Sequence, residues 1–116
     1  MADPRSELLQ GTLDMLVLKT LQGGALHGYA IARRLEQTSG ELLQIEEGTL
    51  YPALHRMERR EWIEAEWGLS DANRRAKYYR LTVSGRRALK DELAAWKRIH
   101  VAIARVLAAP AKGGNA

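Results

Sequence analysis

The sequence predicts a mainly α-helical fold with one small β-hairpin, followed by a long final helix. Most of the chain places its apolar residues three and four positions apart, the spacing of a helix with one buried face. Residues 62–82 differ: residues 62–67 alternate apolar and polar side chains, as a half-buried strand does, and a turn-prone loop separates them from a second stretch rich in strand-favouring aromatic residues. With 116 residues, the chain is long enough to bury the core of one domain.

The first two helices are predicted over about residues 6–21 and 28–38. Gly23 and Gly24 lie between them and supply the backbone freedom for a tight connection. The apolar side chains of the first helix are Leu8, Leu9, Leu13, Met15, Leu16, Val17, Leu18 and Leu21. We expect the second helix to bury the side chains of Tyr29, Ile31, Ala32 and Leu35. Residues 42–45 then suffice only for a short strand or an extended link.

The third helix, near residues 49–60, has two different faces. We expect Thr49 to be its N-cap, and Pro52 to fall in the first turn, where its missing N–H would have no intrahelical partner. The apolar stripe consists of Leu50, Ala53, Leu54 and Met57. The outward face carries Thr49, Pro52, His55, Arg56, Arg59 and Arg60. A helix packed by one face, with small and cationic groups on the other, suits insertion into a DNA groove.

The next segment changes to the period of a β-strand. Residues 62–67 alternate, and residues 76–82 are rich in the aromatic residues that favour strands. The loop between them, residues 68–75, is polar and turn-prone, so we expect a hairpin with a long, basic tip. The expected ion pairs across the hairpin join either of two acids to either of two bases, namely Glu64 or Glu66 to Lys77 or Arg80.

A long final helix is predicted over about residues 85–107, with Ser84 as its N-cap. Its apolar face is wider than the core of one small domain needs, and left exposed it would be a sticky patch. We therefore expect a homodimer formed by a dimerisation helix, residues 83–108, with residues 109–116 as a disordered tail. The heptad-like seam of that dimer consists of Leu89, Leu93, Trp96, His100, Ile103 and Leu107.

Charge is unevenly distributed along the chain. The net charge is +4, from 18 Lys and Arg against 14 Asp and Glu. Residues 74–80 contain four Lys or Arg and no acid, whereas residues 36–53 contain four Glu and no Lys or Arg. A focused basic patch beside an acidic stretch favours an oriented contact with a polyanion.

Several classes of function are disfavoured by composition. The chain has no cysteine, which excludes disulfides and thiolate metal sites. Three dispersed histidines, without a glycine-rich phosphate loop or a carboxylate–histidine cluster, argue against an enzyme, a metal site or a cofactor. The N-terminus lacks the apolar core of a signal peptide, and no apolar run approaches the roughly 20 residues that cross a bilayer. We expect a soluble, cytoplasmic protein with no membrane contact.

Three helices followed by a hairpin form the order of a winged helix-turn-helix, which assigns residues 1–82 to a DNA-binding domain. Within it, residues 27–31 (HGYAI), 48–54 (GTLYPAL) and 75–82 (RAKYYRLT) resemble the PadR family of bacterial transcriptional regulators. The single C-terminal helix is similar to that of the compact subfamily, in which this helix mediates dimerisation. The resemblance implies a nucleoid-associated homodimer that binds an inverted-repeat operator in double-stranded DNA, usually represses, and often releases DNA when a small molecule binds.

Candidate DNA contacts follow from the matching motif of the third helix and from the basic tip of the hairpin. In the third helix these are Thr49, Tyr51, Pro52, His55 and Arg56. In the hairpin they are Arg74, Arg75 and Lys77, which would contact the sugar–phosphate backbone or the minor groove, unless they belong to a solvated loop. Tyr29, near the start of the second helix, contacts a phosphate or packs in the core. Tyr51 likewise contacts DNA or packs under the hairpin.

Three features keep alternatives open. Trp96 on the seam is either plain interface packing or part of a pocket for a small aromatic effector, which would make the protein primarily a small-molecule sensor. His100 is either a neutral interface residue or a pH switch. Glu46 and Glu47 depart from the family pattern, in which many relatives carry small residues or proline before this glycine. Carboxylates favour a helix N-terminus but repel phosphates, so the pair either points away from DNA or tunes affinity and site choice.

Overall fold

The computed structural model describes residues 4–112, with side chains from Thr12 onward. The part of the expected tail beyond Lys112, and the side chains of Leu8 and Leu9, lie outside this range. The elements are α1 (Pro4–Leu21), β1 (Leu26–His27), α2 (Gly28–Thr38), α3 (Glu47–Arg59), β2 (Ile63–Leu69), β3 (Arg75–Leu81) and α4 (Val83–Ala108). The predicted fold class is confirmed. None of the helices in residues 4–112 is long and apolar enough to cross a membrane.

One apolar cluster joins all four of these helices to the sheet. The stripe predicted for α3 is buried in full, and it packs against α1 and α2. The other buried members include Leu13, Val17, Leu18 and Leu21 of α1, Ile31 and Leu35 of α2, Ile63 of β2, Tyr79 and Leu81 of β3, and Ala88 and Leu89 of α4. The prediction for α2 was wrong at Tyr29, whose side chain is 67% exposed.

The strand β1 is an addition to the predicted fold. It pairs antiparallel with β3, so the sheet has the order β1-β3-β2. His27 ends β1 and also caps α2, because its Nδ1 accepts a hydrogen bond from the Ala30 N–H at 3.2 Å. Two residues are too few for an alternating pattern to be visible in the sequence. No strand forms over residues 42–45, which are an extended link.

The start of α3 differs from the prediction. The helix begins at Glu47, and the preceding Glu46 occupies the N-cap position without a side-chain capping bond. Instead, the Glu46 carbonyl accepts from the N–H groups of Thr49 and Leu50 at 3.0 and 2.9 Å. Thr49 is therefore not the N-cap. Pro52 lies in the second turn, where its missing N–H removes a bond to the Gly48 carbonyl.

The hairpin formed by β2, residues 70–74 and β3 is called the wing below. Its strands extend nearer the tip than predicted, and the connecting loop is correspondingly shorter. The expected cross-strand pairing forms at Arg80, which contacts Glu64 at 2.8 Å and Glu66 at 3.8 Å. Lys77 does not join them, because its Nζ lies 3.2 Å from a carboxylate oxygen of Glu58 on α3.

The junction between the wing and α4 is held by Thr82, which is the N-cap instead of Ser84. Its Oγ1 accepts from the Gly85 N–H at 2.9 Å and donates to the Glu61 carbonyl at 2.5 Å. Its N–H donates to the Trp62 carbonyl at 3.1 Å. A Cβ at Gly85 would overlap the same Trp62 carbonyl oxygen. The first turn of α4 therefore lies directly on the backbone that connects α3 to β2.

We expect Gly85→Ala to lower the free energy of unfolding by about 1–3 kcal/mol, because the added methyl group must displace backbone. Gly48→Ala is the matched control, since it also lies in a first helical turn but a Cβ there meets nothing within 4 Å. The control should raise the free energy of unfolding by about 0.5–1 kcal/mol through helix propensity. Urea denaturation followed by circular dichroism measures both, and equal effects would contradict the close packing at Gly85.

Candidate nucleic-acid interface

A groove of about 990 Å³ lies between the start of α2, the outward face of α3 and the wing. The described residues that line it include five Lys or Arg side chains and one acid, Asp71. The cations come from two elements: Arg33 and Arg34 from α2, and Arg74, Arg75 and Lys77 from the wing. Their potentials add in a concave surface, so the groove attracts polyanions.

The outward face of α3 contributes Tyr51 and His55 to the groove. The Tyr51 ring lies on the backbone of α2, since a Cβ built at Gly28 would be 2.6 Å from its hydroxyl oxygen and 2.9 Å from its ring carbons. Glycine at position 28 therefore lets α2 and α3 approach closely. Tyr51 remains 37% exposed, so it packs between the helices while presenting an edge to the groove.

Arg56 lies apart from the other predicted contacts of α3. Its guanidinium is 2.6 Å from Asp14 on α1, and Arg60 reaches the other oxygen of that carboxylate at 3.9 Å. Arg56 is not among the residues that line the groove. The structure therefore gives this guanidinium a role in holding α3 to α1, which the sequence does not reveal because 42 residues separate the partners.

The three predicted wing cations have different surroundings. Arg74 and Arg75 are exposed, and the Arg75 guanidinium carbon lies 4.7 Å from the centre of the Trp67 ring. Lys77 is drawn toward α3 by Glu58 and lies 5.6 Å from the ring centre of Tyr79. Burial, followed in importance by the nearby Glu58 charge, raises the pKa of Tyr79, so its phenol stays neutral.

Sequence reasoning missed three groove residues. Arg33 and Arg34 of α2 line the groove, and the signal in the sequence is the four-residue spacing that places Arg33 on the same side of the helix as Tyr29. Trp67 of β2, which the alternation of residues 62–67 places on the same strand face as Ile63, is 57% exposed and also lines the groove.

The two glutamates at the start of α3 lie beside the groove rather than in it. Glu46 and Glu47 are exposed and line a smaller recess of about 410 Å³ between α2 and α3, together with Tyr29 and Arg33. Their charges favour the positive end of the α3 dipole.

The predicted seam of α4 divides into two parts. Leu89 is buried in the core of its own chain, and Leu93 is half-buried and packs against that core. Beyond them, residues 94–112 are all exposed. The exposed seam comprises Trp96, His100, Ile103 and Leu107, and the Trp96 and His100 rings stack with centres 4.9 Å apart.

Comparison with known proteins agrees with this geometry. The model of the transcriptional regulator PadR-like family matches residues 17–91. Uncharacterized protein X of Lysinibacillus sphaericus is 34% identical to this chain, over an alignment that covers 82% of this chain and 87% of the length of that protein. A PadR family transcriptional regulator from Eggerthella lenta is 34% identical, covers 90% of this chain and 88% of its own, and superposes with a TM-score of 0.77. Bacillus subtilis PadR, solved in complex with operator DNA, is 27% identical over 70% of this chain and 46% of its own, with a TM-score of 0.62.

We expect Arg56→Ala and Asp14→Ala each to lower the free energy of unfolding by about 1 kcal/mol, because each leaves a partly buried charge without its partner. The double variant should cost little more than either single change, since both remove the same interaction. Arg59→Ala is the control, as an exposed cation in the same last turn. Strictly additive losses in urea denaturation would show that the pair is not coupled.

Proposed function

The chain belongs to the PadR-like family of transcriptional regulators, and we propose that it binds an inverted-repeat operator in double-stranded DNA as a homodimeric repressor. The observation that carries the proposal is the cationic groove beside the outward face of α3. The Bacillus subtilis relative in complex with operator DNA supports the same use of this fold. Repression itself rests on the family resemblance.

In this proposal α3 enters the major groove and reads base edges. Its buried stripe fixes the helix in the domain, which leaves Thr49, Tyr51, Pro52 and His55 on or beside the DNA-facing side. The wing follows the adjacent sugar–phosphate backbone with Arg74 and Arg75. Arg34 of α2 extends the same contact, in keeping with the usual course of the first helix of a helix-turn-helix across the backbone.

Dimerisation through α4 supports the reading of an inverted repeat, because a two-fold axis duplicates α3. At 26 residues, α4 is about 39 Å long, and its second half leaves the domain without contacts to the described core. The large apolar residues of that half are 40–79% exposed. Burying such a face against a second copy removes them from water and contributes most of the association energy.

A second candidate function is the sensing of a small aromatic effector at the dimer seam. The observation that favours it is the exposed, stacked pair of Trp96 and His100, which a two-fold axis through α4 would bring near its copy. Flat aromatic compounds would then insert beside the paired tryptophan rings. This site would control the release of DNA.

We expect Arg74→Ala and Arg75→Ala each to weaken binding to every DNA sequence and to flatten the salt dependence by about one unit of slope, because each removes a phosphate contact. Lys77→Ala should change the slope less, since its amine is held by Glu58. Arg56→Ala is the control on α3 and should leave the slope unchanged. Affinities measured at several salt concentrations test this, and a wild-type slope in both wing variants would refute the wing contact.

We expect Ile103→Asp combined with Leu107→Asp to give monomers with weak operator affinity, because two carboxylates cannot be buried in an apolar seam. Arg98→Asp is the control, since it lies on the opposite side of α4 and should remain dimeric. Sedimentation velocity measures both. A dimeric double variant would show that the seam lies elsewhere.

For the effector hypothesis, we expect at least one flat aromatic compound, titrated in the absence of DNA, to quench tryptophan emission in the wild type. Trp96→Ala should abolish the quenching while remaining folded by circular dichroism. Equal quenching in the variant would exclude a pocket at Trp96.

A further inference from the structure

Trp67 and Arg75 form a cation–π pair on the groove side of the wing. Trp67 is directly opposite Lys77 in the β2–β3 register, and Arg75 is the diagonal neighbour two residues away on the same face. This diagonal is within reach of long and aromatic side chains. The Arg75 guanidinium carbon consequently lies 4.7 Å from the centre of the Trp67 ring, within the range of a cation–π contact.

The core does not account for this tryptophan. At the base of the wing, the same face buries Ile63, Leu81 and Tyr79, but at Trp67 the strand has left the core and the side chain is 57% exposed. It is not among the partly buried residues that pack against the core. The exposed indole instead faces the groove beside the cation that it contacts.

A cation–π contact restricts the motion of an arginine without occupying its donors. A free arginine side chain samples many rotamers, and fixing it upon binding reduces affinity. A guanidinium held over an aromatic ring by a cation–π contact has lost part of that freedom in advance, while its N–H groups stay available to a phosphate or a base edge. Arg74, the adjacent cation, has no cation–π contact among the described residues.

We propose that Trp67 is a positioning residue for Arg75, holding its guanidinium ready for DNA before binding. This inference rests on the proposed function of the groove in binding duplex DNA. It differs from a direct contact of the indole with DNA, because Trp67 acts through Arg75. The effect of removing the ring should therefore depend on whether Arg75 is present.

The test is a double-mutant cycle with the full chain and a mixed-sequence duplex of about three helical turns. Trp67→Leu removes the aromatic face but keeps an apolar side chain, and should weaken binding about two- to fivefold. Trp67→Phe retains a π-face and should restore near-wild-type affinity. In the Arg75→Ala background, Trp67→Leu should cause no further loss.

The matched control is the cycle of Trp67→Leu with Arg74→Ala, in which the two fold-changes should multiply. Trp67→Leu should also keep the wild-type salt slope, since the charge of Arg75 remains. An unfolding temperature close to that of the wild type would show that the weaker binding is not caused by a loss of structure.

The proposal is overturned if Trp67→Leu weakens binding equally with and without Arg75, or has no effect in the wild-type background. Failure of the proposed function is distinct: the wild type itself would then show no salt-dependent binding to the duplex.

Discussion

The position of every group in the groove depends on the packing of α3 by one face. Its four-residue apolar stripe is almost fully buried among α1, α2 and β2. This burial fixes the orientation of the helix in the domain. Polar contacts fix the remaining freedom. Asp14 holds Arg56 from the α1 side, Glu58 holds Lys77 of the wing, and the Tyr51 ring fills the space that Gly28 leaves open on α2. The outward face is thereby presented on a rigid support, which is the condition for reading base edges at a fixed geometry.

The acids of the domain divide its cations into two groups. Asp14, Glu58 and Glu64 lie behind or beside the groove and engage Arg56, Lys77 and Arg80, which join elements or strands. The wing-tip arginines are left facing the groove. Since the cations of the first group are held by acids and are not free to replace counterions on DNA, the number of basic residues in the sequence overstates the number of phosphate contacts. Counting charges along the chain cannot make this distinction, because it depends on pairs far apart in sequence.

The parts of the fold that sequence could predict are those with a local period. The stripe of α3, the alternation of β2 and the extent of α2 all follow from side-chain spacing, and the three matching segments identify the family. The sequence-based predictions were wrong or incomplete where backbone groups, or residues far apart in the sequence, determine how an element begins or pairs. The Glu46 carbonyl, rather than the Thr49 hydroxyl, accepts the first hydrogen bonds of α3, and the two residues of β1 form a strand only because β3 lies beside them.

Side-chain spacing alone also fails to divide α4. One heptad-like pattern runs along the whole helix, but its first half packs in the core and its second half lies in solvent. Leu89 completes the core of its own chain, while the residues after Leu93 extend into solvent and give the molecule its length of 67 Å. The direction in which that second half leaves the domain is set at its first turn, where Thr82 and Gly85 fit against the Trp62 carbonyl. In a dimer formed by α4, this joint also sets the distance between the two copies of α3.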